Sequence, residues 1–479
     1  MPYRKYLITF LLILPSLYLK SALLIYFYIL AVSMMSLVRN DRKTPLVLFF
    51  ILVYLLPFDL LSGVVKLSFG SKLDNYFVWG LPLYICFPIY FMDMFKVNKQ
   101  LRLILLFFFV VFFVSTIFLG LTSIFINTNK VQLAASINYF NGFLLAILAY
   151  RVFAEEKDFL GISFVLIELG FLIAISGIIQ YVFKFYFFES WYAKENYGDF
   201  SRLITISYPD PVDLIPFFIV PIAFGFNYIF SDFSRNKPLV FFYVVVMLFA
   251  LILTWARWGY LCIGLILIMS ILLNKKITSL FNPIIIIIVL MVLVVYYYLP
   301  NFVSAEQYKR LEKNDTLIYR FYLWSMGLKA LKEHFFLGVG LGNSSKVAFE
   351  NRPDTYLFGS ENYQGNVFKG SIQSLHQFYL DWVLSMGMFI ILGLIMLYFS
   401  FIRNARYVLR HARNPQYTYI INSASCIVAG LSLFWVQNSS SFHFLLFMCL
   451  AISFGIRDNL NRTAALASPR RPDFDYSNF

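Results

Sequence analysis

Charged residues are scarce in this chain. Aspartate, glutamate, lysine and arginine make up only 13% of its 479 residues, whereas hydrophobic residues make up 60%. A soluble domain is usually about a quarter charged and near half apolar. The shortage of charge therefore excludes an ordinary soluble fold and predicts an all-α polytopic membrane protein.

Cysteine is also rare, and the positions of the cysteines exclude a disulfide framework and a zinc framework. The four cysteines, Cys86, Cys262, Cys426 and Cys449, all lie in apolar runs without the spacing of a metal site. They are expected to be buried free thiols, not a disulfide or zinc framework. The net charge of +14 does not indicate nucleic-acid binding, because the basic residues of a membrane protein collect in its cytoplasmic loops.

Long apolar runs are what the sequence has in abundance. A helix that spans a membrane needs about 20 apolar residues, and 12–14 stretches approach this length. The first also has the form of a signal peptide, although a first span is the preferred interpretation. The stretches lie near 6–19, 21–38, 44–62, 76–95, 103–125, 131–150, 159–183, 212–230, 239–256, 258–273, 282–299, 376–402, 417–436 and 440–456.

Lysine and arginine are concentrated in alternate loops, which predicts that both termini are cytoplasmic. This interpretation gives transmembrane helices 1–11 over residues 1–299, a large outer segment over 300–375, C-terminal transmembrane helices over 376–456 and a cytoplasmic tail over 457–479. The outer segment contains no long apolar run. A connection of that length is usually functional.

An arginine stands between two tryptophans in the stretch LTWARWGYLC, within the apolar run 238–273. About 36 residues of helix would reach roughly 54 Å, whereas the hydrocarbon core is about 30 Å thick. The run is therefore predicted to form two helices with a tight turn at Ala256–Gly259 on the outer side. Arg257 then begins a helix at the interface, either as a snorkelling residue or as a ligand for an anionic headgroup.

The stretch NDTLIYRFYLWSMGLKALKEHFF has apolar residues every three or four positions, as an amphipathic helix does. We expect this helix to lie on the outer membrane face or against the bundle. Arg320 falls roughly 60° from the centre of the apolar stripe. It either snorkels or pairs with an anionic partner. The predicted stripe consists of Leu317, Phe321, Trp324, Leu328, Leu331 and Phe335.

A glycine-rich stretch, FFLGVGLGNSS, follows this helix. It lacks the preceding strand of a dinucleotide-binding motif and is better explained as a tight loop that returns the chain to the membrane. His376 then opens the next apolar run. An imidazole at this position could accept a proton from a sugar hydroxyl. Asp381, an acid inside the same run, is a further functional candidate.

Three stretches stand in order: TWARWGY, then YRFYLWSMGLKALKEHFFLGVGLGN, then LHQFYLDWVLSMGMFIILGLI. Together they resemble the bacterial O-antigen ligase and O-antigen polymerase family over about residues 200–400. The stretch RLITISYPDPVDLIPFF, beginning at Arg202, is similar to a further segment of that family. The sequence departs from the family's usual residues at Ala256, Trp258 and Gln377, where serine, glycine and asparagine are frequent. These departures concern the positioning of the site.

The resemblance implies an enzyme of the bacterial inner membrane that needs no cofactor and no metal. Arg257 and Arg320 would bind the diphosphate of an undecaprenyl-diphosphate-linked glycan donor, and His376 would be the general base. Arg202 and Asp381 would be further site residues. The acceptor would be a second glycan or the lipid A-core, so the protein would be a polymerase or a ligase, with polymerase slightly favoured by the long outer loop. Membrane lipids would be its other partners.

Two other classes fit the sequence less well. A glycolipid flippase or transporter would place charges around a central cavity and would usually show a pair of repeats, and no repeat is visible here. A glycosyltransferase that binds a metal through an acidic pair in its first outer loop would need a second carboxylate beside Asp74.

Overall fold

The computed structural model describes fourteen parts of the chain: 4–13, 22–56, 71–117, 129–155, 159–187, 202–205, 211–212, 214–233, 236–274, 315–341, 343–351, 375, 377–436 and 443–467. The regular secondary structure within these ranges is entirely helical. The protein is therefore an all-α polytopic membrane protein, as its composition predicts.

Seventeen helices lie in the described ranges. The first eleven are α1 (Arg4–Ile13), α2 (Ala22–Val38), α3 (Lys43–Leu55), α4 (Ser71–Ile85), α5 (Phe87–Met94), α6 (Lys99–Ile117), α7 (Asn129–Glu155), α8 (Leu160–Phe183), α9 (Ile215–Phe230), α10 (Lys237–Leu253) and α11 (Arg257–Leu273). The other six are α12 (Asp315–His334), α13 (Ser344–Glu350), α14 (Phe378–Met386), α15 (Phe389–His411), α16 (Pro415–Trp435) and α17 (His443–Ala467).

Six of these helices, α6, α7, α8, α15, α16 and α17, are long and apolar enough to cross a membrane. Five shorter apolar helices, α2, α3, α9, α10 and α11, coincide with further predicted spans. The predicted span 282–299 lies outside the described residues. The total of 12–14 spans therefore stays a prediction.

The helices pack in two groups. In the first, α7 lies along α17 and is joined by α4, while α15 also packs against α17. In the second, α9 lies among α8, α10, α11 and α16 and buries nearly its whole surface. The contact between α16 and α17 joins the groups. Aromatic side chains fill much of this core, as a sequence with 56 phenylalanines requires.

A charge network ties three predicted cytoplasmic loops together at one end of the bundle. Arg42 Nε lies 2.6 Å from Asp93 Oδ2, and Arg151 Nε lies 3.4 Å from the other oxygen of the same carboxylate. Arg151 also pairs with Glu155 one helical turn further on. Asp93 is buried, and a buried carboxylate is tolerated only with such partners.

A second polar network lies at the same end. Asp458 Oδ2 accepts hydrogen bonds from Asn98 Nδ2 at 3.0 Å and from the Tyr150 hydroxyl at 2.8 Å. Arg403 Nη2 donates to Gln100 Oε1 at 2.5 Å. These residues lie in, or directly beside, four predicted cytoplasmic segments. The compartment that this end faces stays a prediction.

Two predicted spans are each divided into two helices. The run 76–95 breaks at Cys86, and the next helix begins at Phe87 with Pro88 in its first turn. The run 376–402 breaks after Met386, and Gly387 there has a φ of 75°, which ends an α-helix. The prediction of one continuous span over 376–402 is therefore wrong. The short helix α14 and the long helix α15 replace it.

Candidate functional site

The turn between α10 and α11 carries the first candidate arginine. α10 ends at Leu253 and α11 begins at Arg257, so the apolar run forms two helices as predicted. The turn lies at Thr254–Ala256, slightly earlier than expected, because Trp255 adopts a left-handed φ of 57°. Arg257 is exposed. It stands at a helix N-terminus, where unpaired backbone N–H groups favour an anion.

Arg202 lies at the same turn. Its Nε donates a hydrogen bond of 2.8 Å to the carbonyl oxygen of Thr254. The positive charges of Arg202 and Arg257 both act electrostatically on the hydroxyl group of Tyr260. This hydroxyl donates to the carbonyl of Ile252, in the last turn of α10. The structure therefore brings Arg202 and Arg257 together, although 54 residues separate them in the sequence.

The segment 202–205 is fixed between two helices. The backbone nitrogen of Leu203 donates to the carbonyl of Leu253 at 2.9 Å, and Gln180 Nε2 donates to the carbonyl of Ile204 at 3.1 Å. Gln180 Oε1 also accepts from the backbone nitrogen of Phe187 at 2.9 Å. The short segment that carries Arg202 is therefore hydrogen-bonded to both α10 and α8.

Arg320 lies on α12, which was predicted to lie on the outer membrane face or against the bundle. The face that packs against α13 and α14 consists of Leu323, Met326 and Ala330. Of the predicted stripe, Phe321 and Leu328 are 52% and 55% exposed, whereas Trp324 and Leu331 pack in part against this small core. The centre of the packed face therefore differs from the centre of the apolar stripe.

Arg320 is partly buried at the border between these two faces of α12. It falls about 85° from the centre of the packed face and about 60° from the centre of the predicted apolar stripe, at 100° per residue. α12 is part of the α12–α14 unit, whereas Arg202 and Arg257 belong to the turn between α10 and α11. A border position suits a long cationic side chain, because its stem can lie along apolar surface while its head stays polar.

The glycine-rich loop after α12 crosses the end of α14. The backbone nitrogens of Val339 and Gly340 donate to the carbonyls of Leu384 and Ser385 at 2.8 and 3.0 Å. Gly338 and Gly340 have positive φ values of 73° and 88°, which favour glycine. A tight loop at Gly338 and Gly340 was predicted. Gly342, the third glycine of that prediction, lies outside the described residues.

The helix that follows the candidate base is capped by Gln377. Its Oε1 accepts a hydrogen bond of 2.6 Å from the backbone nitrogen of Leu380. An asparagine at this position would also satisfy an N–H group of the first helical turn. Gln377 can therefore provide the cap that the family's frequent asparagine would supply. His376 itself lies outside the described residues.

Asp381 lies in the first turn of α14 and joins it to α13. Ser344 Oγ donates a hydrogen bond to Asp381 Oδ1. Burial raises the pKa of Asp381 to about 6, and the bond from Ser344 opposes this rise. The carboxylate also acts electrostatically on Tyr139 of α7. Asp381 is thus a partly buried acid that can titrate close to neutral pH.

A ladder of aromatic rings begins two residues after His376. Phe378 stacks on Trp435 with ring centroids 4.4 Å apart, and it contacts Trp382 at 4.2 Å. Trp382 lies 5.6 Å from Tyr139, and Tyr139 stacks on His443 at 3.8 Å. The ladder connects α16, α14, α7 and α17 at one end of the bundle, beside Asp381.

His443 lies within the predicted span 440–456, and its part in this cluster was not predicted. His443 is the first residue of α17 and is 3% exposed. The sequence around His443 did resemble that around His376, because His443 also follows a polar stretch, NSSS, and begins an apolar run. Tyr139, Tyr260 and Ser344 carried no such signal, since isolated tyrosines and serines are frequent in this chain.

These features define a multi-pass membrane protein with arginines, an acid and a histidine gathered at helix ends. Residues 242–398 match the family model described as O-antigen ligase. Over this part of its length the chain is similar to that family. The match includes Arg257, Arg320, His376 and Asp381. It supports glycan transfer of the ligase or polymerase type. No curated protein matches the chain.

Proposed function

We propose that this protein polymerises oligosaccharide repeat units carried on undecaprenyl diphosphate, at the outer face of the bacterial inner membrane. The product would be O-antigen or a related surface polysaccharide. The observation that carries the proposal is that Arg202 and Arg257 lie at the same turn, between α10 and α11. This turn and Arg257 lie within the segment that matches the family model, and Arg202 lies outside that segment. Both termini would be cytoplasmic, and residues 300–375 would form the outer segment.

The two arginines suit the leaving group of this reaction. A guanidinium group donates several hydrogen bonds in a fixed plane and binds phosphate oxygens in pairs. Arg257, supported by Arg202, would hold the diphosphate at headgroup level. Arg320 would contribute from α12. Charge develops on the diphosphate as the glycosidic bond breaks, so cations placed there stabilise the transition state more than the ground state.

The reaction needs one proton acceptor. His376 would take the proton of the acceptor hydroxyl as its oxygen attacks the anomeric carbon. The bond from that carbon to the diphosphate oxygen breaks with its electron pair, and undecaprenyl diphosphate leaves. One displacement inverts the anomeric configuration, and the arginine charges make a metal unnecessary. The short helix α14, capped by Gln377, would fix the direction from which His376 reaches the acceptor.

A ligase is the second candidate, because the matching family model carries that description. The chemistry would be the same, but the acceptor would be the lipid A-core and the donor a finished chain. Glycan transfer by either route would use the same arginines and histidine. The two candidates therefore differ in substrate length and acceptor identity.

The length of the lipid-linked glycans in cells that lack this protein separates the two. A polymerase predicts the accumulation of single repeat units on the carrier lipid, with restoration of long chains by the reintroduced gene. Long chains that remain on the lipid and are missing from the final acceptor would identify a ligase instead. Unchanged glycans on both lipid and acceptor would contradict both functions.

A further inference from the structure

The imidazole of His443 has one nitrogen without a partner. Nε2 is buried and makes no hydrogen bond. The ring's other nitrogen is bonded to the backbone of Asn138, an interaction that favours the protonated ring, as donation to a carbonyl oxygen does. Nδ1 therefore carries the hydrogen, and Nε2 presents a lone pair. A buried acceptor left unsatisfied costs roughly 1–3 kcal/mol.

The surroundings of this lone pair are aromatic. Tyr139 covers one face of the imidazole with its centroid 3.8 Å away, and Trp382 lies at 5.8 Å. Phe447 lies edge-on at 6.5 Å. Burial among these apolar rings disfavours the charged imidazolium. The ring is therefore neutral at physiological pH, and a hydrogen-bond donor, not an anion, is what its free nitrogen can bind.

The position of His443 relates it to the proposed site. One aromatic ring, that of Trp382, separates it from Phe378, the second residue after His376. Tyr139, its stacking partner, feels the charge of Asp381. The free nitrogen is thus close in the fold to the first turn of α14, which follows the proposed base in the sequence. Aromatic rings and a few polar groups are the usual lining of a sugar site.

We propose that His443 belongs to the glycan-binding site and accepts, through Nε2, a hydrogen bond from a hydroxyl group of the acceptor sugar. This proposal rests on the glycan transfer proposed above. His443 does not exchange a proton with the substrate. Its contribution is to bind and orient the hydroxyl-bearing ring of the acceptor. A water molecule is the alternative donor, and it would make the residue structural.

Three variants test the role of the lone pair. His443→Phe keeps an aromatic ring against Tyr139 but removes the acceptor, and His443→Gln keeps an acceptor oxygen. His443→Ala removes both. With purified protein in lipid nanodiscs, we expect His443→Phe to raise the KM for the acceptor glycan about tenfold, as the loss of one hydrogen bond predicts, with kcat less affected. His443→Gln is expected to recover most of this loss.

An acceptor analogue connects the effect to the substrate. An acceptor that lacks the contacted hydroxyl is expected to lose affinity for the wild type but no further affinity for His443→Phe, as two changes to one interaction require. An unchanged KM in a folded His443→Phe variant would overturn the proposal. So would an equal loss of affinity for every deoxy acceptor in the wild type and the variant. Either result would leave His443 as the acceptor of a hydrogen bond from a structural water. Wild-type protein without any transfer would instead refute the proposed function, and this inference with it.

Discussion

A Cβ atom added to Gly338 would lie 2.6 Å from the backbone nitrogen of Gly387, so the two segments cross with backbone against backbone. A Cβ on Gly387 would in turn overlap the carbonyl of Phe336. Both glycines also have positive φ values. The crossing holds the end of α12 against the junction of α14 and α15, and thereby fixes the α12–α14 unit to α15.

Alanine at either glycine is therefore expected to destabilise the protein. The left-handed conformation alone costs about 1–2 kcal/mol for a residue with a Cβ, and the overlap with backbone atoms adds to it. The melting temperature of the purified protein in detergent measures the effect. Gly264→Ala is the matched control, because nothing lies within 4 Å of its added Cβ. Equal melting temperatures for Gly338→Ala and Gly264→Ala would contradict the crossing.

Removal of the proposed catalytic and phosphate-binding groups is expected to abolish glycan transfer. Arg257→Ala, Arg320→Ala and His376→Ala should each lower the rate by at least about a hundredfold, because each removes transition-state stabilisation or the base. Arg257→Lys should recover only part of the activity, since an ammonium group lacks the planar donor pair. Transfer is measured as polymer formed per unit of membrane-inserted protein.

Arg410→Ala is the control for those variants. Arg410 is exposed in the last turn of α15, in a predicted cytoplasmic loop. We expect normal glycan product and a normal amount of protein in the membrane. A normal product from His376→Ala would remove the assignment of the general base, and a normal product from Arg257→Ala would remove that of the diphosphate ligand.

Chelation of divalent metals is expected to leave transfer unchanged. The proposed mechanism neutralises the diphosphate with arginine side chains, so no step depends on a metal ion. The rate is compared in purified protein with and without excess EDTA. Inhibition that added magnesium or manganese reverses would refute the metal-free mechanism.

The titration of Asp381 is expected to make stability depend on pH. Its pKa is raised from the ordinary value of 3.8 to about 6 in the folded protein, so between these values the folded state binds more protons than the unfolded chain. Stability due to this group therefore falls as pH rises from about 4 to 6. Asp381→Asn should remove that part of the fall, as melting temperatures measured across this range would show.

Ser344 provides the companion test. Its hydrogen bond to Asp381 lowers the pKa of the carboxyl group, so Ser344→Ala should raise that pKa and move the pH-dependent window upward. Ser345→Ala, a change at the adjacent residue, should leave the window in place. An identical pH profile for wild type, Asp381→Asn and Ser344→Ala would show that this carboxyl group does not titrate in the range.

The sequence predicted features that depend on local pattern and failed on those that depend on tertiary packing. Apolar length located the described spans, and the excess length of 238–273 revealed the turn before Arg257. The break at Gly387 was not predicted, because a single glycine inside an apolar run can also belong to a continuous helix. Its cause is the crossing with Gly338, which lies 49 residues earlier.

The faces of α12 show the same limit. Periodicity identifies an apolar stripe but not what covers it, because protein and lipid both accept apolar side chains. Leu323 and Met326 pack against α14, while Phe321 and Leu328 stay exposed. His443 was likewise undervalued, since its stacking on Tyr139 joins residues about 300 positions apart in the sequence and no local pattern reports that contact.

The exposed stripe of α12 is expected to rest in the membrane interface. The carbonyl of Phe335 accepts a hydrogen bond of 2.7 Å from the backbone nitrogen of Met388, which places the end of α12 beside the first turn of α15. α15 has its own exposed apolar face, on which Phe399 is 66% exposed. Phe336 is 69% exposed next to this junction. The exposed stripe of α12 and the exposed apolar face of α15 therefore lie close to one junction, as expected if both contact lipid.

Spin labels at two neighbouring positions of α12 test this arrangement. In a variant whose four buried cysteines are replaced by alanine, a nitroxide at Leu328 should be reached more readily by oxygen, which dissolves in lipid, than by a water-soluble nickel chelate. A label at Lys329, one residue later and on the polar side, should show the opposite preference. Equal access of the chelate to both positions in lipid bilayers would place α12 in water, away from the headgroup level at which Arg320 is proposed to act.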